Sequence, residues 1–501
     1  MSKGVLNRRV SRAVAIHIAA ALLAVLSFSN AKAADLTWGG LYRVEANQIT
    51  NPELSSQKTN KAYILHHLIL SPKVVAADGL TVFSRLDVFN GNGIDNNGVV
   101  SNVAGDVIGN GPNSARTGVD STSGNDASDS NTLARTQRAG GIAVTELYLS
   151  WVQEYGQLVV GRAPVQFGLG TAWNAGNGKF DHFIDTKDMV AYKFVLGNFF
   201  LMPILGKVNE GNIGQEDDVN DYALQLNYEN PDTELAFGLL YQMRVTTFAG
   251  NDLPVDNDLG GGNTTGPTQR EDGYKSTLMG LYTLQKLGDF RIGVEANILS
   301  GDSGYENAAG DGISMEGLGI AAEVAFAPKD AKLTGDLKFG FASGDDPGTP
   351  EKYEGFQFSR NYDVALLMFN HPLGQRDFLR SGMLNGGSTN VGNRIDDEAI
   401  SNAMYIAPSL QYQWKENFSY GGTFVYGMLN QTNYVNGTAV ESTNKSLGYE
   451  VDLNITYQPF ERLTWITQAG FMFPGDAWKG GDQNFDNSFA YGLVTKAAIQ
   501  F

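Results

Sequence analysis

From residue 34 onward the chain repeats one motif: short segments in which apolar and polar positions alternate, separated by polar connections. Period-two alternation over roughly 9–13 residues predicts strands with one apolar and one polar face. Four segments show it cleanly. In 221–228, Tyr222, Leu224, Leu226 and Tyr228 oppose Asp221, Ala223, Gln225 and Asn227. In 234–245, Leu235, Phe237, Leu239, Tyr241, Met243 and Val245 oppose Glu234, Gln242 and Arg244. In 290–298, Phe290, Ile292, Val294, Ala296 and Ile298 oppose Arg291, Glu295 and Asn297; in 449–457, Tyr449, Val451, Leu453, Ile455 and Tyr457 oppose Glu450, Asp452, Asn454 and Thr456. Each is long enough to cross a bilayer as a tilted strand.

The connections sort into two lengths. Eight short turns fall at 77–79, 154–157, 197–198, 230–233, 286–289, 328–330, 415–417 and 459–462. Nine longer polar stretches lie between them, at 50–61, 91–140, 168–188, 209–218, 248–272, 301–312, 343–400, 431–445 and 474–487. Eight turns and nine loops require 18 strands with both chain ends on the turn side, the arrangement of an up-and-down antiparallel transmembrane β-barrel with short periplasmic turns and long outer loops. A soluble sandwich would keep its apolar face inside and its surface polar, and would not sort its connections into short and long sides; here the sum of polar faces is too large to be a core.

The last segment, 488–501, sets Phe489, Tyr491, Leu493, Thr495, Ala497, Ile499 and Phe501 against Gly492, Val494, Lys496, Ala498 and Gln500. A terminal Phe on such a strand is what the barrel-assembly machinery reads, so Phe501 is an expected contact with it. The strand needs a partner to close the sheet, and 36–46, with Leu36, Trp38, Tyr42 and Val44 outward, is the expected one. Ahead of it, a basic start (Lys3, Arg8, Arg9, Arg12), an apolar run over 13–28 and the sequence Ala31-Lys32-Ala33 predict a signal peptide cleaved after Ala33. Residues 34–501 then form one domain in a Gram-negative outer membrane.

Composition narrows the chemistry. The chain has no Cys, which removes disulfides, thiolate metal sites and lipoprotein attachment. Its formal charge is −18; loss of five basic residues (Lys3, Arg8, Arg9, Arg12, Lys32) with the signal peptide makes it −23, the wrong sign for nucleic acid. Read strand by strand, the inward face carries Arg43, Arg85, Arg162, Lys193, Arg244, Lys275, Arg291, Lys338 and Lys496, with Glu45, Asp87, Glu146, Asp221, Glu234, Glu295, Glu323, Asp336, Glu450 and Asp452. Such a wall is mixed and near neutral. Arg43/Glu45, Arg85/Asp87 and Asp336/Lys338 stand two apart on one face, either bracing the barrel or setting a transverse field across the pore. A barrel of this size is too wide for its own side chains to fill.

The remaining acid falls in the loops at 91–140, 251–258, 302–311 and 345–346, which could take Ca²⁺ or Mg²⁺ between themselves and lipopolysaccharide; none has the spacing of a defined calcium loop, and no cofactor is expected. The 343–400 loop is unusual in carrying Val364-Ala-Leu-Leu-Met-Phe369 together with Tyr353, Phe356, Phe358, Tyr362 and Phe378. It is expected to fold inward as a constriction or plug, to pack over the mouth, or to meet a neighbouring subunit, in a homotrimer for example.

Two stretches resemble the alginate-export group of outer-membrane barrels. One is Val160-Gly-Arg162-Ala-Pro-Val-Gln-Phe-Gly168-Leu-Gly170, with Trp173-Asn174, Gly176 and Phe180-Asp181. The other is Ala342-Ser-Gly-Asp-Asp346, seen with Gly448-Tyr-Glu450-Val-Asp452-Leu and Phe473-Pro-Gly-Asp476. The resemblance implies an 18-stranded barrel with Arg162 in the lumen and Glu450 and Asp452 on the wall near it. It does not extend to alginate, since the basic residues placed inside are offset by acids.

The leading function is a porin passing small hydrophilic solutes; a saccharide or polysaccharide exporter and a surface adhesin or structural barrel are the alternatives. An enzyme is not expected. Of the histidines after residue 33, His66 and His67 sit mid-strand with one ring on each face, and His182 and His371 read as loop residues without a serine partner at readable spacing.

Overall fold

The computed structural model describes residues 35–88, 106–107, 142–209, 219–246, 268–269, 274–306, 311–346, 348–371, 373–374, 399–432, 434–435, 439–440, 444–479 and 486–501. The expected signal peptide, nearly all of the acidic 91–140 loop, the 251–258 run and Phe378 lie outside the described residues.

Alternating segments pair in chain order into eighteen long strands: β1 (Asp35–Thr50), β2 (Asn60–Ala77), β3 (Leu80–Val88), β4 (Ile142–Gln153), β5 (Gly156–Pro164), β6 (Thr186–Leu196), β7 (Phe199–Asn209), β8 (Val219–Asn230), β9 (Leu235–Thr246), β10 (Lys275–Leu287), β11 (Phe290–Glu306), β12 (Gly312–Phe326), β13 (Leu333–Ala342), β14 (Ala403–Lys415), β15 (Phe418–Leu429), β16 (Ser446–Phe460), β17 (Leu463–Pro474) and β18 (Ala490–Gln500). Every neighbouring pair of these strands is antiparallel. The last returns to the first, with Leu41 opposite Gln500 and Thr50 opposite Tyr491, so the sheet has no free edge. The expected partnership of the terminal strand and all eight expected turns are present. In the two-residue turns, Gly197 (φ 59°) and Gly288 (φ 62°) supply the left-handed backbone that joins tightly paired strands. β13 and β14 pair directly, Ala342 opposite Ala403, across the long connection between them.

The outer surface is the apolar one. Tyr222, Leu224, Leu239, Tyr241, Met279, Leu281, Leu453 and Ile455 are exposed on it. Aromatic rings gather at its two borders. Phe199, Tyr228 and Phe237 cluster at the turn end, as do Trp414, Phe418 and Tyr457; Tyr449, Phe473 and Phe489 do so at the loop end. An apolar band edged by aromatics is the surface that hydrocarbon and headgroups require of a spanning barrel. No described helix is long and apolar enough to cross a membrane.

Apolar burial occurs inside instead. Two large hydrophobic clusters form on the inner side of the wall. One gathers Val159, Val165, Phe167, Trp173, Met189, Ile204 and Leu240; the other gathers Phe356, Phe358, Tyr362, Leu367, Met368, Tyr405 and Met472. Each is seeded by a stretch of chain that leaves the loop end and folds back into the barrel, residues 165–185 and residues 343–374. Of the three placements open to the second stretch, the described part takes the inward one.

Candidate functional site

A barrel this wide needs something to define its bore, and the 165–185 segment does so from β5 outward. Its ends are joined by Val165 N–H to Asp185 O (2.9 Å), and Asp185 N–H reaches back to Asn174 O in its middle (2.9 Å). Phe167 is fully buried in a slot over β9 and β10. The slot exists because Gly280 has no side chain: a Cβ there would lie 2.7 Å from Phe167 Cε1. Beyond it the chain turns across Glu295 of β11. That carboxylate accepts from Gly170 N–H (3.1 Å), Thr171 N–H (3.4 Å), the Thr171 hydroxyl (2.6 Å), Ala172 N–H (3.3 Å) and Asn297 Nδ2 (2.9 Å). Trp173 Nε1 then donates to Gln242 Oε1 at 2.9 Å, and Lys187 Nζ sits 4.6 Å from its ring centre. The far end reaches the opposite wall. Arg43 donates to Asp181 O, His182 Nε2 lies 2.8 Å from Glu45 Oε1, and Lys179 Nζ donates to Thr464 Oγ1 at 2.8 Å. The segment therefore spans the lumen from β9–β11 to β1 and β17.

The 343–374 segment enters from β13 and lies against the first. Ser359 N–H donates to Thr171 O at 2.7 Å, and Asn361 exchanges two bonds with the Phe183 backbone, at 3.0 and 2.6 Å. Its apolar run is held by acids. Leu366 N–H donates to Asp452 Oδ2 (2.9 Å), while Leu367 and Met368 N–H donate to the two oxygens of Glu450 (2.7 Å each). Successive N–H groups turned toward one point form a ready site for a carboxylate. Tyr362 OH donates to Glu323 Oε1 at 2.9 Å, and Lys338 pairs with the same carboxylate at 3.3 Å.

The wall residues read from the sequence thus fall into separate groups. Arg43 and Glu45 pair at 3.1 Å, and Glu45 also holds His182. Arg85 bonds Asp87 at 3.2 Å and stands 3.9 Å from Glu146, with His67 2.8 Å from Asp87. Arg244 and Lys187 both meet Asp221. Lys193 lies 3.9 Å from the Phe200 ring centre. Glu295, Glu450 and Asp452 anchor the inward segments. Arg291 and Asp336 stand exposed toward the turn end of their strands, and Lys338 takes its salt-bridge partner from β12, not from Asp336 two places along its own strand.

Arg162 is a correction. It points out of the barrel, opposite outward Leu147, with its side chain 49 % exposed and paired with Asp188 at 2.7 Å. β5 is apolar on both faces, because Val159 and Ala163 pack inward under the 165–185 segment, so its alternation does not reveal which face is which. The placement implied by the alginate-export resemblance, Arg162 near Glu450 and Asp452 in the lumen, does not hold. Lys275 likewise stands opposite outward Val245, and Ser276 takes the inward position.

Between the two segments and the wall of β1, β2 and β18 lies a cavity. It holds about 630 Å³ of non-protein space, part of it open to the surrounding water. Glu45, Asn47, His182, Arg360, Asn361, Asp363, His371 and Lys496 give it a polar lining, with Leu65, Leu366, Val494, Phe180 and Phe183 between them. Asp363 meets the cavity water yet lies deep in the barrel, and burial lifts its carboxyl to about 6 against the pull of Lys496, His182 and Lys338. Burial also drives His371 down to about 3, so it is neutral at ordinary pH. The strand period does not mark these loop residues as lumen groups, because what brings them to the wall is a fold of the loop. Among the described residues no group of three His, Asp or Glu side chains is placed to hold a metal ion.

No protein-family model matches the chain, and no curated protein matches its sequence. Solved structures similar to it include OpdK, an outer membrane protein from Pseudomonas aeruginosa (11 % identity, 93 % of this chain and 99 % of that one, TM-score 0.45). OccK9 (OpdG) of the same organism gives 11 % identity, 93 % and 99 % coverage and a TM-score of 0.49. A loop-deleted OmpT, an outer membrane protein of Vibrio cholerae, gives 10 %, 94 %, 100 % and 0.37. At these values the likeness carries no argument, and the fold rests on the strand pairings themselves.

Proposed function

We propose that the chain is an outer-membrane channel that passes small hydrophilic solutes by diffusion, its bore set by residues 165–185 and 343–374. The supporting observation is the inversion of the wall: large apolar side chains outside, charges and amides inside, around a cavity open to water. Lipid is the partner of the outer face, lipopolysaccharide that of the loop end. Phe501, whose backbone pairs with Gly40 at 2.9 and 3.1 Å, is the residue offered to the assembly machinery. A polymer conduit fits less well, since two chain segments cross the lumen and Arg162, which the family resemblance implies is inside, stands outside it. The test is reconstitution in planar bilayers. Discrete conductance steps in KCl support the channel, with steps in threes indicating a trimer; a folded, heat-modifiable barrel that inserts without conductance would leave only a structural role.

A further inference from the structure

The lumen is lined by charges already satisfied by one another. Glu45 is held by Arg43 and His182, Asp221 by Lys187 and Arg244, Asp87 by Arg85 and His67. Two charges on the cavity wall depart from this. The Asp363 carboxylate makes no hydrogen bond or ion pair among the described residues; its backbone carbonyl, not its side chain, receives Lys338. The Lys496 ammonium likewise has no carboxylate partner among them and rests 4.9 Å from the ring centre of Phe180. Both line the same cavity, and Lys496 is the strongest opposite charge acting on Asp363, yet the two do not pair.

Opposite charges that face one space without meeting leave a gap whose field is directed from one wall to the other, in surroundings where an uncompensated charge is costly. A lone cation or anion would satisfy one side only. A molecule bearing both charges satisfies both and leaves the net charge of the site unchanged. Leu65, Leu366 and Val494 add an apolar surface for a small side chain, and Asn370 and Asn47 add amides. We propose that this cavity is a binding subsite for a zwitterionic solute of the α-amino acid type, its ammonium against Asp363 and its carboxylate against Lys496. For the solute's passage this rests on the channel reading; for its binding it does not.

Binding is measured on the full-length barrel in detergent by saturation-transfer NMR, with L-alanine, propionate, ethylammonium and glycerol as probes. Alanine is expected to bind well above glycerol. Asp363→Asn and Lys496→Gln should each weaken alanine at least tenfold. Propionate should respond to Lys496→Gln alone and ethylammonium to Asp363→Asn alone. Lys496→Met, which keeps the stem over Phe180, serves as the second variant at that position, and heat-modifiable migration confirms that each barrel is folded. Alanine binding no better than glycerol, or indifferent to both substitutions, overturns the proposal whatever the bilayers show. Conductance without alanine binding would sink the subsite and spare the channel; alanine binding without conductance would do the reverse.

Discussion

Glu295→Ala tests whether the 165–185 segment sets the bore. The carboxylate is wholly buried and accepts five donors, four of them from residues 170–172. Bonds to a charged acceptor contribute roughly 1.5–3 kcal/mol each, less when long. The contacts from Thr171 N–H (3.4 Å) and Ala172 N–H (3.3 Å) are long, and lumen water can refill part of the vacated space. Counting only the Thr171 hydroxyl and Gly170 N–H at the low end leaves about 3 kcal/mol. That is about two decades in the ratio of held to released segment, at roughly 1.4 kcal/mol per tenfold. The ladders of β11 with β10 and β12 are backbone bonds and do not depend on the side chain, so the wall persists. Single-channel recording on the refolded barrel should then show large-conductance episodes about a hundredfold more often than in the native protein. Glu295→Gln, which keeps one acceptor oxygen, should fall between. A folded Glu295→Ala barrel with native conductance and native noise would refute the reasoning and place the narrow point elsewhere.

Three further outcomes follow from the same geometry. Because burial raises Asp363 to about 6, the cavity should lose a negative charge between pH 7 and pH 5, shifting the reversal potential toward anions, and Asp363→Asn should abolish that step. The matching stability contribution, since the folded value is raised, is present below the ordinary carboxylate range and fades as pH climbs through about 6. Gly280→Ala sets a methyl 2.7 Å from Phe167 Cε1 and 2.8 Å from Asn297 Oδ1; it should unseat Phe167 at a cost of roughly 1–3 kcal/mol and enlarge the mean conductance without loss of the heat-modifiable form. Arg162→Ala removes an exposed ion pair on the outer wall and should leave conductance and ion selectivity as they are, with a stability change within about 1 kcal/mol by chemical denaturation.

The wall was legible because lipid outside and water inside impose a period of two that nothing else in the chain imitates. Segments 221–228 and 449–457 declared their faces without help, and the alternation of turn and loop lengths fixed the count. Legibility failed where the lumen stopped being water. On β5 the inward positions are Val159 and Ala163, apolar because the 165–185 segment covers them, so the two faces do not contrast and nothing in the pattern marks Arg162 as outward. On β2 the same cause makes Ile69 inward, packed with Phe180 of that segment, beside His67.

That failure points to the site itself. In a barrel whose interior is only water, every inward position can be polar; inward apolar residues record where another part of the chain sits. Val159, Leu240, Ile204, Tyr405, Val425 and Met472 are such records, and together they trace the footprints of the two inward segments on the wall. Inward positions that stay charged or amide, Glu45, Asn47 and Lys496 among them, trace what the segments leave open. The bore is thus encoded as the complement of a hydrophobic pattern. The 364–369 run announced that a segment needed burial, while Phe167 and Trp173, scattered among glycines and asparagines, did not. The loop residues on the cavity, Asp363 and His182 among them, take their position from distant anchors, Glu450 and Asp452 in one case and Glu45 in the other.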